Sequence, residues 1–374
     1  MQPPRHGCWF VMVGLGAILL VTVGLVWAQE ATYPRPLGPL PPVPIPLDNP
    51  MSPAKVELGK LLFFDTRLSG DGAVSCASCH DPKQGWGDGG DISRGYPGTQ
   101  HWRNAQTILN AAYLQKLFWD GSVSSLERQA PAAATGNVAG NGDPMMMEER
   151  LRAIPEYVQR FRDVFGTPPS INDAWKAIAA FERTLVSRHV PFDRSMRGEQ
   201  EALSEDARRG LELFQGKAQC LQCHHGPLFS DESFHNLGVP LNSVFQENPL
   251  YQITLRYEQK IKGVPEQVYR TADRDYGLYY ITKREEDKGK FRTPTLREVT
   301  RTAPYMHNGV FFTLEEVINF YNEGGGDDPH KSPLLKPLGL ADAEKKALLA
   351  FLESLSGEEI AVEPPTLPAY EGLK

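Results

Sequence analysis

Apolar residues recur at helical spacing in six separate stretches of the chain. The first helix is predicted to begin at Pro53, because Ser52 directly before a proline is a common N-cap arrangement. The other predicted helices run from Pro144 to Phe165, Ser170 to Ser187, Ser204 to Phe214, Thr313 to Tyr321 and Asp342 to Leu355. Thr313 and Glu316 have the spacing of a capping box.

The alternation of apolar and polar residues that indicates strands is scarce. Tyr279–Thr282 is the best short strand candidate. The pattern therefore predicts a mainly α-helical protein with long loops and little strand.

The first 28 residues have the pattern of an export signal. Arg5 precedes an uncharged run from Cys8 to Ala28, and Val26 and Ala28 suit positions −3 and −1 of a signal-peptidase site. The same run is long enough to remain as an uncleaved membrane anchor, since a span needs about 20 residues. In both cases we expect the rest of the chain in the periplasm, with membrane contact only if the segment is uncleaved.

A proline-rich segment, residues 29–51, follows the leader and predicts an extended tether over the surface. The length of 374 residues is enough for two buried cores. We expect one domain at 52–200, a second at 201–360 and a tail at 361–374. Hydrophobic residues make up 41% of the chain, as in ordinary folded proteins, and the net charge of −7 argues against a nucleic-acid partner.

Four of the five cysteines lie in two copies of one motif. The copies are Cys76-Ala77-Ser78-Cys79-His80 and Cys220-Leu221-Gln222-Cys223-His224. In a c-type haem site the two thiols form thioethers with the vinyl groups, and the adjacent histidine binds the iron. The motif thus predicts two covalently bound c-type haems with His80 and His224 as iron ligands.

Three other uses of the cysteines explain the motif less well. A zinc ribbon needs its two cysteine pairs close together in the chain, and it gives no reason for a histidine after each pair. A thioredoxin-type redox pair needs no second copy. Structural disulfides would not require the histidines.

Several segments resemble the bacterial di-haem cytochrome c peroxidase and MauG superfamily. They are residues 58–72, 103–107, 118–121, 210–214, 291–297 and 302–309, and the likeness covers roughly residues 52–355. The resemblance implies two cytochrome-c-like domains with a calcium ion between them. It also implies a peroxide-reactive haem in the first domain and an electron-transfer haem in the second.

The resemblance assigns roles to individual residues. Asn104, Thr302 and Pro304 match the calcium positions, the last two through main-chain carbonyls. Trp119 matches a tryptophan between the haems that relays electrons, and Arg292 matches an arginine beside a haem, where it can pair with a propionate.

The pocket on the peroxide side departs from the family. Gln129 matches a residue of this pocket, but the position ten residues later, which usually holds a glutamate, is Ala139. Only an insertion in the loop would let Asp143, Glu148 or Glu149 replace that acid. His101 is a further candidate ligand for the first haem iron in a resting state, although its spacing to Asn104 is shorter than in the family.

The second axial ligand of the C-terminal haem separates the branches of the superfamily. The resemblance places Tyr321 at this position, as in MauG-like members, whereas other peroxidases have methionine there. An oxygen ligand favours ferric iron and a thioether favours ferrous iron. Met306 is the rival ligand, and Tyr321 closing a helix is the structural alternative.

The resemblance implies a peroxidase that reduces hydrogen peroxide at the first haem. We expect its redox partner to be a small c-type cytochrome, a cupredoxin or a protein substrate that meets the second haem. The alternative from another class is a non-enzymatic di-haem electron-transfer cytochrome.

Overall fold

The computed structural model of the protein describes residues 35–96 and 99–370, which are mostly helical. The leader and the first part of the tether lie outside this range. None of the helices in the described part is both long and apolar enough to span a membrane. The helices are α1 (Pro53–Phe64), α2 (Leu126–Thr135), α3 (Pro144–Arg152), α4 (Pro155–Phe165), α5 (Ile171–Glu182), α6 (Pro191–Met196), α7 (Glu205–Gln215), α8 (Ser243–Glu247), α9 (Pro249–Ile261), α10 (Glu266–Tyr269), α11 (Tyr279–Thr282), α12 (Leu314–Asn322) and α13 (Asp342–Glu353).

Strand structure is limited to one short antiparallel pair in the described residues. Strands β1 (Phe234–His235) and β2 (Phe291–Arg292) pair with Phe234 opposite Arg292. The prediction of a mainly helical fold with little strand is confirmed.

The first core forms where α1 crosses α5. The Ser52 hydroxyl caps α1 by accepting a hydrogen bond from the Lys55 N–H at 3.2 Å. At the crossing, a Cβ atom on Gly59 would lie 1.9 Å from the carbonyl oxygen of Ala177, so only glycine allows this close approach. The core on either side is built from buried residues that include Leu58, Leu62, Phe63, Ile178 and Phe181.

The second core repeats this arrangement with α7 and α13. A Cβ atom on Gly210 would lie 2.0 Å from the carbonyl oxygen of Ala347, which is the same glycine contact at a helix crossing. In each half of the chain the glycine-bearing helix precedes the cysteine motif. The chain passes from the first core to the second between Leu185 and Val190, before the predicted boundary at residue 200.

A third, smaller core connects the two halves. It joins Trp102 and Val138 from the N-terminal half to Leu255, Tyr279 and other residues of the segment that carries α8 to α11.

Two of the secondary-structure predictions were wrong. The predicted strand Tyr279–Thr282 is the helical turn α11, because burial of adjacent tyrosines in this core outweighs their strand preference. The predicted helix 144–165 is two helices, since Ile154 before Pro155 has extended backbone.

Both ends of the described chain pack along the surface. In the tether, the Arg35 guanidinium donates to the carbonyl oxygen of Ser230 at 2.9 Å, and Gly38 accepts from Arg297 at 2.9 Å. At the end of the tether, Asn49 donates to the Glu127 carboxylate of the N-terminal half at 2.8 Å. In the tail, the carbonyl oxygen of Pro368 accepts from the Arg67 guanidinium at 2.8 Å. The tether therefore contacts both halves, and the tail contacts the N-terminal half.

Candidate haem sites and the cavity beside them

The first cysteine motif forms a short 3₁₀ turn beside the first core. The Ser75 N–H donates to the Ser78 hydroxyl at 3.0 Å, which holds the turn that contains Cys76. His80 Nδ1 lies 3.0 Å from the carbonyl oxygen of Trp86. A carbonyl can only accept, so Nδ1 carries the proton and Nε2 keeps its lone pair for a metal. Burial lowers the pKa of His80, which favours this neutral form.

The second motif is built in the same way. Residues Cys220–Gln222 form a 3₁₀ turn, and His224 Nδ1 lies 2.8 Å from the carbonyl oxygen of Phe229. Burial also lowers the pKa of His224. Trp86 and Phe229 both have left-handed backbone, with φ of 63° and 52°, and both are buried in their cores. Each histidine is thus oriented by the carbonyl of a buried aromatic residue.

The four cysteines fit covalent haem attachment. None of them forms a disulfide. Burial raises the pKa of Cys76 and of Cys220 to about 12, so both are neutral thiols in this structure. Thiols paired with a neutral, oriented histidine are the donor set that a c-type haem requires.

A cavity opens beside the second motif and is lined mainly by apolar side chains. It brings together Cys220, Cys223, His224 and both candidate second ligands, Tyr321 and Met306. The Tyr321 side chain is near both thiols, its burial raises its pKa, and its hydroxyl makes no hydrogen bond with any described residue. Tyr321 lies on α12, whose capping box between Thr313 and Glu316 is present as predicted.

Arg292 is a buried cation on the same cavity. Its guanidinium contacts the carbonyl oxygens of Phe118 and Thr293 and the side-chain oxygen of Gln106, each at 3.2–3.3 Å. No carboxylate of the described residues forms an ion pair with it, and burial lowers its pKa to about 10. A buried cation without a carboxylate partner fits an anionic group such as a haem propionate.

Trp119 lies in the wall of this cavity within an aromatic cluster. Its Nε1 donates to the carbonyl oxygen of Asn104 at 2.9 Å, and its ring meets that of His307 edge-on at 6.5 Å. His307 stacks on Phe291 with ring centroids 3.7 Å apart. Burial lowers the pKa of His307 to about 4, so this cluster is uncharged at neutral pH.

The three residues predicted to bind calcium line the same cavity. The Asn104 side-chain amide donates to the carbonyl oxygen of Gly90 at 2.9 Å, which leaves its Oδ1 free of hydrogen bonds from described residues. The carbonyl oxygens of Thr302 and Pro304 likewise accept none from the described chain. Amide and carbonyl oxygens that accept no hydrogen bond from the described chain are donors of the kind that Ca²⁺ prefers, with waters completing the shell.

The predicted residues of the peroxide pocket do not line this cavity. Gln129 lies half-buried on α2, whose neighbouring residue Ala130 faces the first core. The acids considered as replacements at Ala139 have other partners. Asp143 caps α3, Glu148 accepts from the Ile171 N–H and pairs with Arg152, and Glu149 also pairs with Arg152.

His101 lies apart from the cavity as well. Its ring stacks on Trp102 at 4.6 Å, and its Nδ1 accepts a hydrogen bond from the Arg103 N–H at 3.0 Å. Burial lowers the pKa of His101 to about 4, so it is neutral and its other nitrogen can bind a metal.

Sequence reasoning missed three residues of the sites. The carbonyls of Trp86 and Phe229 give no signal in the sequence, because any residue provides a carbonyl. Glu182 lies beside Cys76, is 3% exposed, and has an oxygen without a hydrogen-bond partner in the described chain. The signal for Glu182 in the sequence was an acidic residue within the apolar pattern of α5.

Comparison with known proteins decides which family has this arrangement. A model of the di-haem cytochrome c peroxidase family matches residues 53–201. The cytochrome-c peroxidase IdrP1 of Pseudomonas sp. (strain SCT) is 58% identical over 366 residues, 96% of each chain. The chain belongs to the di-haem cytochrome c peroxidase family. As a member of this family it is a haem-dependent oxidoreductase of the peroxidase class, which sets aside the purely electron-transfer alternative.

Two further relatives come from the MauG side of this di-haem peroxidase family. The methylamine utilization protein MauG of Methylorubrum extorquens is 38% identical over 343 residues, which are 91% of this chain and 88% of that protein. The crystal structure of a MauG-like protein associated with microbial copper homeostasis has a TM-score of 0.73 and 33% identity, and the match covers 85% of this chain and 94% of that one. The recognition of the superfamily from the sequence is confirmed.

Proposed function

We propose that this peroxidase works in the periplasm, reduces hydrogen peroxide at a haem held by His80, and receives electrons through a haem held by His224. The observation that carries the proposal is the repeated site: two half-buried histidines, each with Nδ1 bonded to the carbonyl of an aromatic residue and each beside two free thiols. The cysteine motifs and the export-type leader support the periplasmic location.

A haem at either site would supply an iron that exchanges electrons. The residues of the chain set its surroundings. Trp86 and Phe229 orient the histidines and strengthen them as donors through their carbonyls. Arg292 would pair with a propionate of the second haem, so that neither charge is buried alone.

Trp119 is the proposed relay between the sites. It contacts the cavity of the second haem, and its Nε1 bond to Asn104 holds the ring in one orientation. The uncharged cluster of Trp119, His307 and Phe291 gives an electron or hole a low-polarity path that does not trap charge. Calcium bound by Asn104, Thr302 and Pro304 would hold Asn104 in place, and Asn104 in turn holds the Trp119 ring through its hydrogen bond.

The second ligand at the His224 haem is proposed to be Tyr321. Its hydroxyl is unpaired beside the two thiols, whereas a packing tyrosine at this burial normally has a hydrogen-bond partner. Phenolate ligation stabilises ferric and higher states and suits a MauG-like peroxidase that stores oxidising equivalents for a protein substrate.

A second candidate function is rapid peroxide removal fed by a small c-type cytochrome or cupredoxin. The name cytochrome-c peroxidase of a relative at 58% identity favours it. Steady-state peroxide turnover with a reduced small donor separates the two functions. Fast cycling supports peroxide removal, and slow cycling with a long-lived oxidised state supports the MauG-like function. No reaction with peroxide would contradict both.

A further inference from the structure

Helix α9 presents a row of apolar side chains to solvent. Leu250, Ile253, Tyr257 and Ile261 are 50%, 58%, 51% and 48% exposed. Each residue turns an α-helix by about 100°, so these four fall within about 80° of the helix circumference. We call them the α9 stripe.

The α9 stripe is not the face that packs the helix onto the protein. The buried residues of α9 are Thr254, Leu255, Glu258 and Gln259, whose mean direction lies about 125° around the helix from that of the stripe. Leu255 is fully buried in the third core with Trp102, and Gln259 Nε2 donates to the Tyr280 hydroxyl at 2.6 Å. The helix is therefore held by one face and leaves a second apolar face without a partner in the described chain.

The charges beside the α9 stripe are positive. At 100° per residue, Lys260 lies about 20° and Arg256 about 60° from Ile253 at one edge of the stripe, whereas Lys262, directly after the helix, lies on the side of the buried Glu258 and interacts with its charge. Glu258 is the only acidic residue of α9, and it is buried. The positive charge is local, because the chain as a whole has a net charge of −7.

We propose that the α9 stripe docks the folded protein on an anionic phospholipid surface. Leucine and isoleucine side chains enter the acyl boundary of a membrane, tyrosine prefers its interface, and lysine stems extend their ammonium groups to the headgroups. The uncharged run of residues 8–28 either crosses a membrane or stays in it, so the exported chain meets such a surface in both cases. The proposal rests on the export proposed above but not on the peroxidase chemistry.

Vesicle binding by the haem-loaded protein without its leader tests the proposal. Residues 34–374 form a compact unit of their own, so this form keeps the folded part and removes a competing anchor. The probes are vesicles of phosphatidylcholine with about one third phosphatidylglycerol and vesicles of phosphatidylcholine alone. We expect binding to the anionic vesicles that weakens as salt is added, and weaker binding to the neutral ones.

Two matched variants separate the α9 stripe from general surface effects. Ile253→Glu with Tyr257→Glu places two charges on the stripe and should reduce vesicle binding tenfold or more. The control, Met145→Glu with Met146→Glu, makes the same change at two exposed positions of α3 and should bind like the unmodified protein. Lys260→Gln, which removes the cation at the edge of the stripe, should weaken binding to anionic vesicles by about fivefold, with little effect on neutral vesicles.

Several outcomes would overturn the proposal. They are no binding of the unmodified protein to anionic vesicles, equal losses in the α9 and α3 variants, and a self-association in analytical ultracentrifugation that the stripe variant abolishes in place of vesicle binding. Peroxide turnover and haem absorption of the stripe variant should equal those of the unmodified protein, which also shows that the variant is folded. A failure of the peroxidase proposal would appear in turnover, and a failure of this one in vesicle binding.

Discussion

The indole Nε1 of Trp119 donates a hydrogen bond to the main-chain carbonyl oxygen of Asn104, at 2.9 Å. Asn104 in turn donates from its N–H to the carbonyl oxygen of His307 at 2.8 Å. The residue that we propose as the electron relay is therefore bonded to a proposed calcium ligand, and that ligand is bonded to the segment that carries the other two, Thr302 and Pro304. Loss of calcium should therefore disturb the position of Trp119 through Asn104.

Calcium removal is the first prediction. Chelation should loosen Asn104 from the turn at residues 302–304, shift the Trp119 ring and slow electron transfer between the haems. Stopped-flow absorption spectroscopy of the half-reduced protein, before and after chelation and again after calcium is added back, measures this. Unchanged electron-transfer kinetics in a preparation shown by elemental analysis to be free of calcium would show that calcium does not control this electron transfer.

Trp119→Phe is the second prediction. Phenylalanine keeps a ring in the cavity wall but is harder to oxidise and cannot donate to Asn104, so electron transfer between the haems should slow sharply. The lost hydrogen bond should cost about 1 kcal/mol of stability. Trp175→Phe is the matched control, because Trp175 is 5% exposed in the first core and does not line the cavity. Equal electron-transfer rates in the two variants would exclude Trp119 as the relay.

Tyr321→Phe is the third prediction. If the phenolate binds the iron, the second haem loses its oxygen ligand, its potential rises, and peroxide no longer gives a long-lived oxidised state. A packing tyrosine would instead leave both haem spectra intact. Met306→Leu, made in parallel, tests the rival on the same cavity. A change of ligation in the methionine variant alone, with a lowered potential, would replace the MauG-like function with donor-driven peroxide removal.

The pH dependence of stability provides the fourth prediction, through Glu182. Burial raises the pKa of Glu182 to about 8, although Arg183 opposes the shift, and Glu127 and Cys76 are the other ionisable groups nearby. The folded state thus holds this proton more tightly than the unfolded state, whose carboxyl has a pKa of about 4.3. The stabilisation is complete below that value and is lost as the pH rises toward 8.

Glu182→Gln should remove this loss, because the amide is neutral at every pH and nearly the same size. Denaturant unfolding between pH 5 and pH 8 measures it: the unmodified protein should lose stability across the range relative to the variant. Glu148→Gln is a control at a more exposed carboxylate. Parallel stability curves for Glu182→Gln and the unmodified protein would show that Glu182 is ionised in the folded state.

The sequence predicts the helices that begin with a strong signal. Ser52 before Pro53, and Thr313 with Glu316, define helix starts by hydrogen bonds to nearby backbone groups, and the structure has both. Helix α9 was not predicted, although Leu250, Ile253, Tyr257 and Ile261 recur at helical spacing. Asn248 before Pro249 was the signal that could have found it, since the Asn248 side chain caps the helix.

The residues of the candidate sites likewise divide into those that the sequence predicts and those that it does not. The cysteine motifs predict the candidate haem-binding residues by spacing alone, because the chemistry of attachment requires that spacing. Residues that act through the fold are not readable from the sequence: Asn104 and Pro304 meet at one cavity only because segments about 200 residues apart are packed together. The helical turn that contains Tyr279 and Tyr280 likewise depends on packing in the third core, which no local sequence pattern predicts.

The central claim is that the chain carries two haems and that peroxide oxidises both through one of them. The most direct measurement is a titration of the purified protein with hydrogen peroxide, followed by absorption and electron paramagnetic resonance, after the haem content is determined. The account predicts two haems per chain that resist acid–acetone extraction, and a change in the signals of both haems when peroxide is added. Zinc or disulfides at the four cysteines, or two haems whose spectra peroxide leaves unchanged, would contradict it.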